Sequence, residues 1–297
     1  MAVPPEFSII IPSRNRMEPL RRCLASLARL EAPADGFEVI VADDGSEPPY
    51  APAVGEFQGA LRLRLIRCDG QGPGQARNAA AAVASGRFLA FTDDDCEPQP
   101  DWLTCLGSLL RRQPDALAGG RTVNELTENL CSTASQVLIS YLYDYYDDGN
   151  HETRFFTSCN FALSAGLYRE IGGFDARFRL AGGEDRDFCD RWAKSGKPLV
   201  YIRDAVVRHS HRLSLPGFLR QHFTYGRGAW HFHKARAERG SGPVPIEPLS
   251  FLSGMLASPF KDKSVRSPFV VSPLIGSTVI MIAFGYFYER WSSGKSG

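Results

Sequence analysis

The segment Arg87-Phe-Leu-Ala-Phe-Thr-Asp-Asp-Asp95 is an apolar run that ends in three consecutive carboxylates. Such a run predicts a buried strand with a polar loop at its carboxyl end. Two earlier segments have the same form: Phe7-Ser-Ile-Ile-Ile11, closed by Pro12, and Phe37-Glu-Val-Ile-Val-Ala42, which leads into Asp43-Asp44-Gly45-Ser46. All three segments are therefore predicted to place polar side chains where strands end.

Helical patterns alternate with these strands. Leucines recur at helical spacing between residues 20 and 30, and an Ala-rich helix at 75–85 follows a further strand at 61–68. Strands that alternate with helices predict the α/β class, here a Rossmann-like, mostly parallel, doubly wound sheet within the first ~120 residues. Ligands of such sheets bind at the carboxyl ends of the strands, which is where the polar clusters fall.

The composition is that of a globular protein. The chain has 297 residues, of which 43% are hydrophobic and 23% are charged, and this excludes a mostly disordered chain or a protein with many membrane spans. A net charge of +1 argues against binding to the phosphate backbone of nucleic acid. The charge is unevenly spread, because residues 205–239 hold seven Arg and Lys but one acid, Glu238.

The seven cysteines form no Cys-x-x-Cys pair, so we expect neither a disulfide framework nor a Cys-rich zinc site. No secretory signal is recognisable in the segment from Met1 to Phe7. We therefore expect a cytoplasmic protein.

The carboxylates of Asp93 and Asp95 are candidates for a metal site. Alternate residues of an extended segment point the same way, so these two side chains are placed to converge on one hard divalent cation. The alternative is an acidic turn that caps the next helix. The second acidic strand end, at Asp43 and Asp44, favours a metal-bound ligand at this edge of the sheet.

The loop Gly70-Gln-Gly-Pro-Gly74 lies between a strand and a helix, but it does not fit the dinucleotide fingerprint Gly-x-Gly-x-x-Gly, because Gln75 stands where the third glycine belongs. Arg77 and Asn78 follow in the first turn of the helix. A guanidinium and the backbone N–H groups there are suited to a phosphate, whereas the alternative is a solvated arginine on a helix face.

Two further clusters carry ionisable side chains. Glu184 and Asp185 follow Gly182-Gly183 at a helix start, where a carboxylate either stabilises the helix terminus or acts as a general base. His209 follows a short strand and is the histidine that we expect to complete a metal site with Asp93 and Asp95. The segment 205–239, called the basic segment below, contains arginines that either bind a diphosphate or anionic lipid or form a solvated face. They are Arg212, Arg220 and Arg227.

Six motifs occur in one order: FSIIIPSRNR, VIVADDGS, GPGQARNAA, FLAFTDDD, CNFALSAGLYREIGGFD and GGEDRDFCDRW. In this order they resemble the family 2 glycosyltransferases of GT-A fold, which use nucleotide-diphospho-sugars. The resemblance covers residue 7 to about residue 230. It implies a nucleotide-sugar-binding half at 1–120 and an acceptor-binding, catalytic half at 121–235 of one domain, followed by an α-helical extension at 236–297.

The resemblance also implies roles for single residues. Asp93 and Asp95, joined in our prediction by His209, would hold Mg²⁺ or Mn²⁺ against the diphosphate. Asp185, with Glu184 beside it, would be the base of an inverting transfer to an acceptor hydroxyl. The residues expected to bind the nucleotide sugar are Pro12, Arg14, Asp43, Asp44, Arg77, Asp94 and Asn160.

The predicted function is an inverting transfer of a sugar from a nucleotide-diphospho-sugar to a glycan, lipid-linked or small-molecule acceptor, with no nucleic acid partner. One alternative is a sugar-phosphate nucleotidyltransferase, but Ser13-Arg-Asn-Arg16 lacks the glycines of that class. The other is a nucleotide-sugar-binding module without catalysis, which the presence of Asp93, Asp95 and Asp185 disfavours.

The segment from Ser267 to Tyr288 has no charged residue and is long enough to span a membrane. Lys261, Lys263 and Arg266 precede it, and Phe251 to Phe260 adds an apolar stretch. We expect contact of 251–288 with a membrane, with the enzyme on the cytoplasmic face. The alternative is a helix packed on the catalytic domain.

Overall fold

The computed structural model describes residues 4–50, 54–147, 153–244 and 247–294. The strands are β1 (Phe7–Ser13), β2 (Phe37–Asp43), β3 (Leu63–Arg67), β4 (Phe88–Thr92), β5 (Cys96–Pro98), β6 (Leu117–Asn124), β7 (Asn160–Ser164) and β8 (Leu199–His209). The helices are α1 (Met17–Leu27), α2 (Pro73–Val83), α3 (Trp102–Arg112), α4 (Leu130–Tyr146), α5 (Ala165–Ile171), α6 (Glu184–Lys194), α7 (Leu215–Glu238), α8 (Leu249–Lys261) and α9 (Pro268–Ser293).

One mixed sheet joins these strands in the order β3-β2-β1-β4-β7-β6-β8-β5. The four strands from the first part of the chain are parallel to one another, as predicted. β7 is antiparallel to β4 and to β6, whereas β6 and β8 are parallel to each other. The carboxyl ends of β1, β2, β3, β4, β6 and β8 therefore lie along the same edge of the sheet.

Alternation along β1 and β4 divides the core into two layers. Phe7 and Phe88 pack on the face that α1 and α3 cover, with ring centroids 5.4 Å apart. Ile10 and Phe91 belong to the core on the opposite face, together with Phe161 of β7. All five side chains are fully buried. Each contributes about 1.5–3 kcal/mol through burial, so both faces of the central strands stabilise the sheet.

The chain crosses the sheet edge between β4 and β5. β4 is central, whereas β5 is the last strand, and Cys96 of β5 pairs with His209 of β8. The intervening residues Asp93 to Asp95 thus run across the carboxyl ends of several strands. The Asp95 carbonyl accepts a hydrogen bond from Ser210 N at 2.8 Å, which fixes the end of this crossing.

α7 packs against loop 182–183 on one side and against α9 on the other, through glycines. A Cβ atom on Gly228 would lie 1.8 Å from the Gly182 carbonyl oxygen, and one on Gly226 would lie 2.1 Å from that of Ile282. Gly285 of α9 faces the Phe223 carbonyl in the same way, at 1.9 Å. The backbones of loop 182–183, α7 and α9 are consequently in direct contact.

Ion pairs hold α7 in this position. Arg227 donates to Glu289 of α9 at 2.5 Å, and His231 Nε2 lies 2.9 Å from the other oxygen of that carboxylate. Arg239 donates to Asp187 of α6 at 2.6 Å. Arg227, predicted to bind a diphosphate or lipid or to be solvated, instead forms a partly buried pair between helices.

Among the described residues, α9 is the helix that is long and apolar enough to cross a membrane, and 22% of its most apolar stretch is buried. The buried residues lie on one side of the helix and include Val271, Ile275 and Gly285. α8 packs beside it and is fixed to α4, because the Tyr141 hydroxyl donates to the Phe251 carbonyl at 2.7 Å. The α-helical C-terminal extension that the sequence predicts is therefore present.

Substitution of Gly285 by alanine tests the close packing of α7 and α9. We expect Gly285→Ala to lower the free energy of unfolding by about 1–3 kcal/mol, because the new methyl group overlaps the Phe223 carbonyl oxygen. Urea unfolding measures the change. Gly276→Ala in the same helix is the control, since its Cβ would lie 3.4 Å from the movable end of Leu256. Equal stability of the two variants would contradict the packing.

Candidate active site

The site lies at the sheet edge where the carboxyl ends of six strands lie. β4 ends at Thr92 and is followed by Asp93, Asp94 and Asp95, while β8 ends at His209. The parallel direction of β4 and β8 places both ends at this edge, and the crossing to β5 carries Asp95 over to His209. Their side chains meet, with Nε2 of His209 3.2 Å from an oxygen of Asp95.

Two arginines engage the three consecutive carboxylates, and Asp94 and Asp95 share one of them. Asp93 accepts a hydrogen bond from Arg77 at 2.6 Å. Asp94 accepts one from the Ser13 hydroxyl at 2.6 Å and pairs with Arg16 at 3.0 Å. Asp95 pairs with the other terminal nitrogen of Arg16 at 2.5 Å. The predicted repulsion among the three charges is thus offset by two arginines.

Burial and these partners set the charges of the acids. Burial raises the pKa of Asp94 to about 7, in spite of the opposing effect of Arg16. Burial acts on Asp95 in the same direction, but the charge of His209 and its hydrogen bond outweigh it, and the pKa of Asp95 is lowered. Asp95 is therefore the carboxylate that stays ionised, as a metal ligand must be.

One group of side chains could hold a metal ion. Ligand atoms of Asp95, His209 and His211 all lie within 4.8 Å of one another. Burial lowers the pKa of His211 to about 4, which keeps that ring neutral and able to coordinate. Burial would also lower the pKa of His209, but the charge of Asp95 raises it to about 9. His209 must therefore release its proton to coordinate. Once that proton is lost, one carboxylate and two imidazoles form a donor set that fits a divalent cation such as Mn²⁺.

Asp93 does not belong to this group in the structure. Its side chain is 30% exposed, against 4% for Asp95, and Arg77 engages its carboxylate. Its assignment as a second metal ligand remains a prediction. His211 is the additional candidate for a metal ligand. The sequence gave no reason to prefer it over His209.

The residues expected around the nucleotide line the ends of β1 and β2. Arg14 is exposed and lies over Gly70 of the Gly-rich loop, with Nη1 3.4 Å from the position of a Cβ there. Asp44 is buried and accepts hydrogen bonds from the backbone N–H of Gln71 and Gly72, at 3.1 and 3.0 Å. Asp44 therefore shapes the Gly-rich loop, whatever its contact with a nucleotide.

Asp43 and Pro12 also lie at these strand ends. Asp43 is buried, accepts from the Ser46 backbone N–H at 2.7 Å, and pairs with Arg67 at 3.0 Å. Pro12 is buried within β1, opposite Ala42 of β2. Both residues support the loops that border the site, and their contact with a nucleotide remains a prediction.

Arg77 joins the two parts of the site. It lies on α2 and is 3% exposed, and its guanidinium reaches Asp93 on one side and Glu184 on the other, at 2.6 and 3.7 Å. Its Nε and Nη1 atoms are buried and have no hydrogen-bond partner in the described structure. Arg77 thus retains buried donors that an anionic ligand could use.

Glu184 and Asp185 open α6 after two glycines in left-handed backbone conformations, with φ of +128° at Gly182 and +94° at Gly183. Glu184 is buried and accepts from the Gly182 N–H at 2.6 Å. Burial, with the neighbouring charge of Asp185, raises the pKa of Glu184 to about 7. Asp185 is half-buried, and burial raises its pKa as well. Of the two, Asp185 is the more accessible carboxylate.

Asn160 does not have the position that its predicted role requires. It is fully buried at the start of β7, where its side-chain oxygen accepts from Trp102 Nε1 at 2.8 Å. Its amide nitrogen donates to the carbonyls of Arg121 and Ala205, at 3.0 and 3.1 Å. The side chain bridges β7, β6 and β8, and its polar atoms are used within the core rather than offered to a nucleotide sugar.

Three residues of the site were not singled out from the sequence: Ser13, Arg16 and His211. Ser13 and Arg16 belong to the loop after β1, in which Asn15 takes a left-handed conformation with φ of 55°. Asn15 is among the residues that tolerate this conformation, and it turns the loop toward Asp94. The second arginine of Ser13-Arg-Asn-Arg16 is the feature of the sequence from which a contact with the carboxylates could have been predicted.

The comparisons with known proteins agree with this arrangement. The family described as "Glycosyl transferase family 2" matches residues 8–172, and "N-terminal domain of galactosyltransferase" matches 140–211. Pre-mycofactocin glycosyltransferase of Mycobacterium tuberculosis is 30% identical over 240 residues, which cover 75% of this chain and 47% of that protein. Validoxylamine A glucosyltransferase of Streptomyces hygroscopicus subsp. jinggangensis is 35% identical over 229 residues, which cover 68% and 54%. The chain spans about half the length of these relatives.

A solved structure has the same fold. The mannosyltransferase PcManGT from Pyrobaculum calidifontis, in complex with GDP-Man and Mn²⁺, superimposes with a TM-score of 0.62 at 18% identity, over 94% of this chain and 74% of that chain. The sheet, its flanking helices and the C-terminal helical segment thus form a GT-A fold. With a family match over more than half of its residues, this chain belongs to glycosyltransferase family 2.

Proposed function

We propose that the protein is a metal-dependent, inverting glycosyltransferase that moves a sugar from a nucleotide-diphospho-sugar to an acceptor hydroxyl. The observation that carries this proposal is the bridge made by Arg77. It places the Asp93–Asp95 segment and the Glu184–Asp185 pair on two sides of one buried guanidinium. A donor diphosphate at the first group and an acceptor hydroxyl at the second would be close neighbours.

The donor diphosphate would bind where positive charge and buried N–H groups converge. Arg77 has unused donors there, and Arg16 would exchange part of its contact with Asp94 and Asp95 for phosphate oxygens. Asp95, His209 and His211 would hold Mn²⁺ or Mg²⁺, and the two imidazoles favour Mn²⁺. Such a cation, when bound, neutralises the charge that develops on the departing diphosphate.

Asp185 is the proposed general base. Its carboxylate takes the proton from the acceptor hydroxyl as that oxygen forms a bond to the anomeric carbon and the bond to the diphosphate breaks. The attack comes from the face opposite the leaving group, so the anomeric configuration inverts. Glu184, held by the Gly182 N–H and by Arg77, would fix the position of Asp185 rather than accept the proton itself.

A cavity of about 340 Å³ beside the catalytic loop is the proposed acceptor site. Its lining combines apolar Phe178 and Leu180 with the cation Arg179, next to Gly182, and with Arg227, whose charge is paired with Glu289 of the same wall. An acceptor with an apolar part and an anionic group matches this lining. We infer a lipid-linked glycan precursor, which would place the enzyme at the cytoplasmic face of a membrane.

Replacement of Asp185 tests the base. We expect Asp185→Asn to lower kcat by about 10²–10⁴-fold while nucleotide-sugar binding is retained, because the amide cannot accept the proton. Turnover is measured as release of nucleoside diphosphate from a panel of nucleotide sugars, and binding by calorimetry.

The control for this experiment is Asp115→Asn, which changes an exposed carboxylate just before β6, at the opposite edge of the sheet. It should leave both readouts unchanged. Near wild-type transfer by Asp185→Asn would overturn the assignment of the base. Loss of donor binding in that variant would instead assign Asp185 to the donor site.

The raised pKa of Asp185 leads to a prediction on pH. A base must be deprotonated to act, so kcat/KM should fall as the pH drops through a value above the ordinary ~3.9 of aspartic acid. The pH profile of nucleoside diphosphate release measures it, and Asp115→Asn should give the wild-type profile. A rate that stays constant down to that ordinary range would contradict the prediction.

Replacement of His211 tests the metal site that the structure adds. We expect His211→Ala to weaken Mn²⁺ binding by about tenfold or more, because one of three ligands is lost. Calorimetry or the electron spin resonance signal of free Mn²⁺ measures this without turnover. His233→Ala, on α7 and outside the ligand group, is the matched control. Equal Mn²⁺ affinity of the two variants would exclude His211 as a ligand.

A further inference from the structure

The exposed apolar surface of the protein is concentrated in the C-terminal extension. Of the 18 large apolar side chains exposed in the described residues, 12 belong to α8 and α9. On α9 they occur near its start, at 269 and 270, and then at helical spacing from 279 to 291, and nearly all of them lie on one side of the helix, where they form a stripe. This apolar stripe consists of Phe269, Val270, Val279, Ile280, Phe284, Phe287, Tyr288 and Trp291.

The stripe is strongly exposed and contains no acid. Phe269 is 82% exposed, Phe284 is 62% exposed and Trp291 is 61% exposed. A soluble protein rarely leaves a continuous apolar surface of this length in water, which points to a partner that covers it. At ~1.5 Å per residue the helix is long enough for the stripe to extend over tens of ångströms.

Basic side chains border the stripe at both ends. Lys261 ends α8, Lys263 and Arg266 follow in the turn before α9, and Arg290 lies near the end of α9. All four are exposed, and Arg266 also pairs with exposed Glu128. Phe260 and Phe269 pack together beside the first group, with ring centroids 5.1 Å apart. Apolar and aromatic residues with flanking cations are the features that bind an anionic membrane surface.

The contacts on the opposite side of α9 show that this helix is not free to be surrounded by lipid. Glu289 is buried there and pairs with Arg227 and His231, and Gly285 contacts the backbone of α7. To span a bilayer alone, α9 would have to separate from α7 and expose the Glu289 carboxylate. A helix that is apolar on one side and fixed to a protein on the other is suited to lie along the surface.

We propose that α9 lies in the plane of an anionic membrane, with its apolar stripe inserted at the boundary of headgroups and acyl chains. A second copy of the chain is a poorer occupant, because a twofold dimer on this stripe would bring the like charges of the flanking cations together. The inference rests on the proposed function in one respect only, which is that the acceptor is drawn from the same membrane. Tyr288 of the stripe packs against Arg227, which lines the proposed acceptor cavity.

Vesicle flotation of the full chain tests the docking. We expect it to float with vesicles of phosphatidylcholine and phosphatidylglycerol, and less with phosphatidylcholine alone. Phe284→Ser with Phe287→Ser should lower the bound fraction by roughly tenfold or more, because two apolar anchors are lost. Val83→Ser with Leu130→Ser removes two exposed apolar side chains elsewhere and should not change binding. Thermal unfolding verifies that both double variants are folded.

Tryptophan fluorescence tests the orientation. Phe269→Trp or Ile280→Trp is made in a Trp291→Phe background and compared with the native Trp291. The signal of Trp291→Phe alone, which retains Trp102, Trp192 and Trp230, is subtracted from each. Quenching by lipids with a nitroxide near the headgroup should be similar at all three positions if α9 lies in the plane. Stronger quenching of position 280 by a nitroxide deep in the acyl chains would instead show a spanning helix and overturn the proposal.

Two other outcomes would also overturn it. One is a full chain that remains unbound on every vesicle composition. The other is a dimer in sedimentation that the Phe284→Ser, Phe287→Ser variant converts to a monomer, which would assign the stripe to a second copy. Nucleoside diphosphate release without vesicles separates this inference from the enzymatic one. The Phe284→Ser, Phe287→Ser variant should still release nucleoside diphosphate. If the wild-type chain released none, that result would count against the proposed function and not against membrane docking.

Discussion

The site depends on one buried cation. The guanidinium of Arg77 lies between a carboxylate of the crossing segment, Asp93, and a carboxylate at the start of α6, Glu184. Burial of an isolated charge is costly, and removal of one member of such a group leaves the others uncompensated. Arg77 therefore fixes the distance between the proposed donor side and the proposed catalytic side of the site. The end of β4 and the start of α6 are held together by charge as well as by apolar packing.

The near-zero net charge of the chain has a structural explanation. Its acids and bases are not separate patches that face different ligands, because many of them pair across elements. Arg236 and Arg239 of the basic segment pair with Asp190 and Asp187 of α6, and Arg227 pairs with Glu289 of α9. Much of the positive charge on α7 therefore serves to attach that helix, and the cations left for ligands are fewer than the sequence indicates.

The parallel first half of the sheet could be predicted from the sequence, whereas in the second half the strand that leads to His209 could be predicted but the strand order could not. β1, β2 and β4 are continuous β-branched or aromatic runs, buried on both faces, and the polar residues that follow them are predicted to lie at one edge. β6 contains Gly119 and Gly120, and β5 has three residues, so neither gives a strand pattern. The neighbours of Asp95 depend on the order of these strands, and so His211 and the core position of Asn160 follow only from tertiary structure.

The contacts of Gly182, Gly228, Gly226 and Gly285 are made between backbones, with no side chain between them. A side chain can change its rotamer and absorb a small displacement, but backbone atoms in van der Waals contact transmit it. The start of α6, which carries Asp185, is thus connected rigidly to α9 through α7, so that these elements move little relative to one another. Asp185, the proposed base, and α9 thus belong to one rigid unit, so a displacement of α9 would be transmitted to that carboxylate.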